Sequence, residues 1–383
     1  MSERRGVARR MQQIKLTLIR QMFEKAPPGA INLGLGEPAF DTAPEILATA
    51  REALAGGRLG YTFNGGMAPL REAVAARYPG AEGAASVCIT VGANGGLLGS
   101  MMASVDPGDE VLVPDPGFPT YEAVATLAGA TPVRYPLPPD GSFAFSAEAL
   151  RPRLTPATRA VVINSPSNPT GHVIPRAELE ALAALADEAD LTVIADEVYE
   201  QFWYGERSPT YAEVTNRGLV VNSLSKTEAM TGWRVGWVVG PPEFIKAVTA
   251  INQHSVTCAP ALAQRAAITA LQQGFAERAE RTRADFGRRR ELMLEMIERD
   301  LGLPYVEPGG AFFALLEAAP AGNSLEVALD ILEKTGVITV PGVGFGDQAT
   351  RFLRLSFAAS EADIREGLGR MAEYFSSARK RRS

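Results

Sequence analysis

Apolar and polar positions fall into alternating blocks along the first two thirds of the chain. VCITV (87–91), DEVLVP (109–114), TPVRY (131–135), RAVVIN (159–164) and LTVIAD (191–196) are apolar runs of strand length. LVVNSL (219–224) and RVGWVVG (234–240) close the series. Stretches with helical spacing lie between them at 93–105, 118–127 and 175–189, the last with Pro175 at an early helical position. Near-continuous apolar strands are buried on both faces, so the pattern predicts a mostly parallel sheet sandwiched by helices. Beyond Pro242 the pattern changes. Helical periodicity runs from 243 to about 299, with dense charge over 277–290. Short strands (311–315, 337–340, 351–357) then alternate with helices (325–334, 361–374). The expected fold class is α/β, with a large unit over 41–270 and a smaller α+β unit formed by 271–383 together with an N-terminal arm, 1–40.

In that arm, Met11, Ile14, Leu18 and Met22 recur at helical spacing among Arg9, Arg10, Lys15 and Arg20, predicting a basic amphipathic helix over 7–25. Docking within the fold or in a dimer is its expected use. Arg379, Lys380, Arg381 and Arg382 predict a solvated, frayed tail. The chain has 383 residues, enough for two domains or one large one, and is 46% hydrophobic and 21% charged, as ordinary globular proteins are. A net charge of −6 argues against nucleic acid as a partner of the whole molecule. Cys88 and Cys258, the two cysteines, lack CxxC spacing and read as free thiols in a reducing compartment. His172 and His254 are too isolated for a His-rich metal site, so no metal is expected. No apolar run of about 18 residues and no secretory signal is visible, which points to a soluble, cytoplasmic protein without a membrane partner.

The chemistry concentrates at strand ends, where open α/β sheets bind ligands. In SLSKTEAMTGWRVGW (223–237), Lys226 leaves a buried strand between Ser223 and Ser225, and Arg234 follows. Burial lowers a lysine pKa and frees its amine to attack a carbonyl. Hydroxyls and an arginine suit a phosphate. Together they make the chemistry of a pyridoxal phosphate site; a snorkelling lysine at a strand end is the structural alternative. Ala93 and Asn94 open a helix whose free amides suit an anion, as those of any such turn do. Phe118 either stacks on a flat heterocycle or joins the core. Asn168, in the turn NPTG, either points its amide into the crevice or serves the turn alone. Asp196 at a buried strand end needs a cation, which a protonated pyridine nitrogen supplies, unless it caps a helix. Tyr199 can donate to a phenolate oxygen, and Glu197 is expected to face outward. Gly34 and Gly36 in INLGLGEP either allow a close backbone approach or supply positive φ. In RFLRLSF (351–357), strand alternation sets Arg354 opposite Arg351. Arg354 can clamp a carboxylate bidentately, with Arg351 on the solvent side.

Over nearly its whole length, from INLGLGEPAFDTAP to RFLRLSFA, the sequence resembles the fold type I, aspartate-aminotransferase-like enzymes, the class I/II aminotransferases. SLSKTEAMTGWR is the most specific part of that resemblance. It implies that Lys226 forms the Schiff base with pyridoxal 5′-phosphate and shuttles a proton. It implies that Asp196 holds the ring nitrogen protonated, that Tyr199 and Asn168 meet the ring's phenolic oxygen, and that Phe118 stacks on the ring. Ser223, Ser225, Arg234 and the amides of Ala93 and Asn94 then hold the phosphate. Tyr61, in YTFNGG, matches a tyrosine that reaches the phosphate of a neighbouring subunit, implying a homodimer with shared sites. Arg354 matches the α-carboxylate clamp, and Gly36 lies in the loop that closes over substrate. Three departures stand out. Asn94 occupies a position where relatives specific for acidic substrates often carry lysine, and no second arginine for a distal carboxylate is evident. Glu228 stands where a neutral or aromatic residue is common, with no evident role.

The implied activity is ping-pong transfer of an amino group from an L-amino acid to a 2-oxo acid. The alternative on the same fold is another pyridoxal phosphate-dependent reaction: elimination, decarboxylation, cyclisation or oxidation. A cofactor-sensing regulator would need a winged helix, for which the roughly thirty residues before the core are too few.

Overall fold

Alternation concealed in the apolar runs emerges in the computed structural model, which describes residues 6–380. The strands, in chain order, are β1 (Ile31–Asn32), β2 (Val87–Thr90), β3 (Glu110–Asp115), β4 (Thr131–Pro136), β5 (Thr158–Asn164), β6 (Thr192–Asp196) and β7 (Leu219–Ser223). They continue with β8 (Gly236–Val239), β9 (Tyr305–Val306), β10 (Phe313–Glu317), β11 (Val337–Ile338), β12 (Val340–Pro341) and β13 (Phe352–Ser356). The helices are α1 (Leu18–Glu24), α2 (Pro44–Ala55), α3 (Ala68–Ala75), α4 (Gly92–Ser104), α5 (Thr120–Ala128) and α6 (Arg176–Ala189). After them come α7 (Pro242–Ser255), α8 (Ala261–Gln272), α9 (Phe275–Met296), α10 (Ser324–Thr335) and α11 (Glu361–Lys380).

A seven-stranded sheet runs in the order β2-β8-β7-β6-β5-β3-β4. All its pairings are parallel except those of β8, which is antiparallel to both β7 and β2. Successive residues feed opposite faces. Val161, Ile163, Val193 and Ala195 pack with Leu70, Leu182 and Ala266 of α3, α6 and α8. Ala160, Val162 and Ile194 pack with Leu97, Val124 and Val248 of α4, α5 and α7. With apolar residues required on both faces, the period-two signal disappears from the sequence.

A second, antiparallel sheet has the order β12-β13-β10-β9, and β1 pairs in parallel with β11. Around them α9 and α11 bury Phe286, Met293, Ile364 and Leu368 against Phe312, Phe313 and Leu355. The expected strand at 337–340 is two strands, β11 and β12, parted at Thr339. Helix expected throughout 243–299 is three helices, α7 to α9, with breaks at 256–260 and 273–274.

The arm departs most from expectation. Only α1 is α-helical; Arg9–Gln12 is a single 3-10 turn, and 13–17 follow without helix. Thr17 starts α1 by accepting a hydrogen bond from the Arg20 amide at 3.3 Å, and of the four periodic apolar residues only Met22 is buried. Arg379 and Lys380, expected in a frayed tail, close α11, whereas Arg381 and Arg382 lie outside the described residues.

Phe286 meets Phe202 and Phe312 with ring centroids 5.1 and 5.3 Å away, and no part of it is exposed. Phe286→Ala is expected to destabilise the fold by about 3–5 kcal/mol in denaturant unfolding. Arg351→Ala, which removes a half-exposed ion pair to Glu317, should stay within about 0.5 kcal/mol.

Candidate functional site

Three adjacent strands end together at the carboxyl edge of the seven-stranded sheet. Register pairs Asn164 of β5 with Asp196 of β6, and β7 reaches Ser223 beside them. Because β8 runs the other way, its start lies at this same edge and brings Arg234 to the amino end of α4. Gly92 makes that approach possible: its φ is +66°, and a Cβ there would sit 2.3 Å from Arg234 Nη2. No side chain caps α4, so its first amides face the cleft beside Ala93 and Asn94. The cleft encloses about 270 Å³ and is lined by Gly36, Ala93, Asn94, Phe118, Asn168, Asp196, Tyr199, Ser223, Ser225, Lys226, Arg234 and Arg354. Of the expected site residues, Tyr61 alone stands away from this lining; it is 88% exposed.

The Asp196 carboxylate receives the Tyr121 hydroxyl at 2.8 Å and the Val198 amide at 3.3 Å. Burial raises its pKa to about 6 against these bonds and the Lys226 charge. Asn164 fixes the strand end twice. It donates to the Asp196 carbonyl at 2.8 Å and accepts from the Asn168 amide at 2.7 Å. Tyr199 is buried edge-on to Phe312 and Phe313, and desolvation pushes its hydroxyl pKa upward. Phe118 is half-buried on the cleft wall, edge-on to Tyr121, rather than in the core.

Lys226 Nζ donates to the Gly36 carbonyl at 2.6 Å. Desolvation brings its pKa down to about 8, with Arg354 and Arg234 acting in the same sense and Glu37 and Asp196 opposing. Gly36 is needed for close approach, not for positive φ: a Cβ there would come 2.9 Å from the Phe313 ring. Across the cleft Arg354 is 2% exposed, with its guanidinium 4.2 Å above the Phe313 ring centre. It donates to Asn168 Oδ1 at 2.8 Å and to the Gly34 carbonyl, while its Nε has no acceptor. Burial lowers its pKa to about 10. An arginine so enclosed with an unused N–H is suited to a carboxylate.

Pyridoxal phosphate fits this donor set. A buried carboxylate, a depressed amine, an uncapped helix start and Arg234 near two serine hydroxyls match its ring nitrogen, aldehyde and phosphate. Tyr121, Asn164, Thr231, Ile19, Leu35, Val198 and Phe313 also line the cleft and were not among the expected site residues. Tyr121 carried a signal, since it lies one helical turn beyond Phe118 on a predicted helix.

Two expectations change on the neighbouring turns. Glu197 does not face outward; it is 3% exposed and accepts the Tyr211 amide at 2.6 Å, and its Oε2 has no partner. Desolvation, reinforced by Glu200, raises its pKa to about 8. At the end of a sheet covered on both faces, neither direction leads to water. Glu228, without a role in the sequence, is buried and held by Arg278 through bonds of 2.7 and 3.1 Å. Among the described residues no cluster suits a metal ion, and no helix is long and apolar enough to cross a membrane.

Residues 28–371 match the family described as aminotransferase class I and II. The chain is 38% identical over 381 residues to an aspartate/prephenate aminotransferase of Thermus thermophilus, covering 96% of this chain and 98% of that relative. It is 35% identical over 375 residues to aromatic-amino-acid aminotransferase 2 of Thermococcus litoralis, with 94% and 96% covered. The structure of a Thermus thermophilus aspartate aminotransferase with maleate matches with a TM-score of 0.90 at 37% identity, over 96% of this chain and 99% of that one. The chain belongs to the class I and II aminotransferases, has their α/β fold, and is a pyridoxal phosphate-dependent transferase.

Glu197 provides a pH test of the site's burial. A carboxyl whose folded pKa is raised binds protons more tightly in the native state, so its contribution is full below the unfolded value near 4.5 and is lost as pH rises towards about 8. Urea unfolding of Glu197→Gln across pH 5 to 8 should therefore lack a decline of a few kcal/mol present in the unsubstituted protein.

Proposed function

We propose that the protein moves the amino group of an L-amino acid with an uncharged side chain to a 2-oxo acid, in two half-reactions sharing one cleft. The observation that carries this reading is the convergence of buried Asp196 and Arg354 and half-buried Lys226, ionisable groups from three different segments, on the cleft that also holds Arg234. When bound, pyridoxal phosphate supplies a carbonyl for the amine and an electron sink for the bond broken at Cα. In this reading Asp196, steadied by Tyr121, keeps the proton on the ring nitrogen. Arg234, Ser223, Ser225 and the amides of Ala93 and Asn94 grip the phosphate. Phe118 covers the ring face, and Tyr199 and Asn168 meet the phenolic oxygen.

Arg354 takes the substrate carboxylate, displacing its contact with Asn168 or adding to it, and so orients Cα towards Lys226. Lys226, with a pKa brought down to about 8, is partly neutral near physiological pH and can take and return the Cα proton. Gly36, whose carbonyl holds Lys226 Nζ, belongs to the segment that covers the substrate.

Specificity follows from charge. Lys226, Arg234 and Arg354 are the cations among the described residues lining the cleft, and this reading commits all three. Ile19, Leu35, Val198 and Phe313 supply apolar surface, and Asn94 is neutral. A second carboxylate would find no uncommitted cation among the described residues that line the cleft. Aromatic and aliphatic amino acids are therefore the favoured donors. The relative named as an aromatic-amino-acid aminotransferase supports this, while those named for aspartate mark the competing specificity.

We place the shared site in a homodimer, with Tyr61 reaching the neighbouring phosphate. Exposures of 88% for Tyr61 and 60% for Phe63 support a partner there. A cytoplasmic location is supported by two free cysteines and by the lack of a membrane-crossing helix among the described residues.

Without an acceptor, the holoenzyme should release about one equivalent of 2-oxo acid per site, and added 2-oxo acid should turn this into steady turnover. Continuous product formation without acceptor would instead indicate elimination or decarboxylation. Lys226→Ala should lose the visible absorbance of the lysine-bound cofactor and at least roughly 10²–10⁴-fold in rate. Arg354→Ala should lower kcat/KM about 100-fold. Phenylalanine should exceed aspartate in kcat/KM by roughly tenfold or more, and the reverse order would refute the specificity.

A further inference from the structure

Two residues beyond Lys226, the chain carries a carboxylate that touches nothing in the cleft. Glu228 is 3% exposed and lies in the turn linking Leu224 to Met230. Its amide closes that turn onto the Leu224 carbonyl at 3.1 Å. The next residue, Ala229, has φ +50°, a left-handed conformation unusual for a residue with a side chain, and its carbonyl accepts from Thr42 Oγ1 at 3.0 Å.

Arg278, 6% exposed in the first turns of α9, uses all five of its N–H groups here. Two go to the Glu228 carboxylate, at 2.7 and 3.1 Å, and one to Glu45 of α2 at 2.9 Å. The remaining two go to the carbonyls of Ala270 and Gln273 at the end of α8. Full satisfaction is what any buried guanidinium requires; what matters here is which elements the five bonds join. They fasten the lysine turn to α2 and to the α8–α9 junction at a single point.

From that junction α9 runs across to the second sheet. Phe286, eight residues along, packs on Phe312 at 5.3 Å, and Phe312 packs on Phe313 at 4.8 Å. Phe313 lies beneath Arg354 and against Gly36, whose carbonyl receives Lys226 Nζ. The path from Lys226 through α9 to Arg354 is therefore continuous in packed, ordered groups.

We propose that the Glu228–Arg278 pair is a positioning device for Lys226, holding its turn in register with Arg354 through α9. Neither residue reaches the reacting atoms. Their effect is on where the amine sits relative to the carboxylate clamp, and it rests on the assignment of Lys226 as the cofactor-binding amine.

The test uses holoenzyme of Glu228→Gln, Arg278→Lys and the double variant Glu228→Leu/Arg278→Leu, with Lys226→Ala as reference. Three quantities are read: the cofactor dissociation constant, the midpoint of the pH titration of its visible absorbance, and the melting temperature. Both single variants should weaken cofactor binding by about tenfold. Their titration midpoint should move upward, as a loosened turn lets water reach the lysine. In the leucine pair, apolar packing replaces the buried charges and should recover much of the melting temperature without restoring the other two readouts. Cofactor affinity and midpoint matching the unsubstituted enzyme within about twofold in Glu228→Gln would overturn the proposal. Should the leucine pair not fold, the near-isosteric Glu228→Gln decides alone. If Lys226→Ala keeps the absorbance, the assignment of Lys226 fails instead, and the two failures are distinct.

Discussion

Desolvation of opposite charges at one sheet edge is the constraint around which the molecule is arranged. The carboxylate of Asp196 is pushed up to about 6 and the amine of Lys226 down to about 8 by the same cause, removal from water. Left to themselves, such groups approach neutrality, and the fold would gain by replacing them with apolar residues. In the proposed reading they persist because a ligand bearing a positive ring nitrogen, a carbonyl and a phosphate would satisfy all of them together. The sheet serves that purpose directly. Adjacent β5, β6 and β7 end at one level, and the reversed β8 lets Arg234 join them from the opposite chain direction.

What was legible in the sequence was whatever short-range pattern determines. Apolar runs in β3, β5, β6 and β7 announced strands covered on both faces; Arg354 is buried and Arg351 exposed as expected, yet not by alternation, since β13 is buried on both faces and Arg351 precedes it. The polar residues that end those runs were legible too, since a charge there needs a reason. Less legible was anything set by the phase of one element against another. Tyr121 reaches Asp196 only because α5 packs over β3 and β4 with that face inward. Glu197, just past the end of β6, is buried because the sheet is covered on both faces. In the arm, Met11, Ile14, Leu18 and Met22 keep helical spacing, yet Thr17 begins a new helix and the preceding residues stay outside it. Local periodicity lost there to a capping residue and to tertiary placement.

Glu228 shows a different limit. Its sequence neighbours gave no clue because its partner, Arg278, is fifty residues away and Glu45 is farther still. A buried carboxylate inside a lysine-bearing turn looked like an anomaly in the motif. In three dimensions it is fully bonded, and the misfit belongs to the linear view.

The two walls of the cleft have different origins, and that separation bears on how such a site diversifies. Groups suited to the cofactor project from the ends of the seven-stranded sheet and from α4, where Asp196, Ser223 and Ser225 are buried while Asn94 and Arg234 stay exposed. Those assigned to the substrate in the proposed function, namely Ile19, Leu35, Gly36, Phe313 and Arg354, come from the arm, the β1 region and the second sheet. A change at Ile19 or Leu35 need not disturb the first wall, whereas Gly36 and Arg354 bond to it. The two must still keep register, because an amine displaced by an ångström from the atom it serves loses much of its effect. Contacts that bridge the walls include Lys226 to Gly36, Asn168 to Arg354, Tyr199 to Phe313 and Thr231 to Glu37. Substrate preference can thus drift within an apolar lining while these bridges hold the reacting geometry constant.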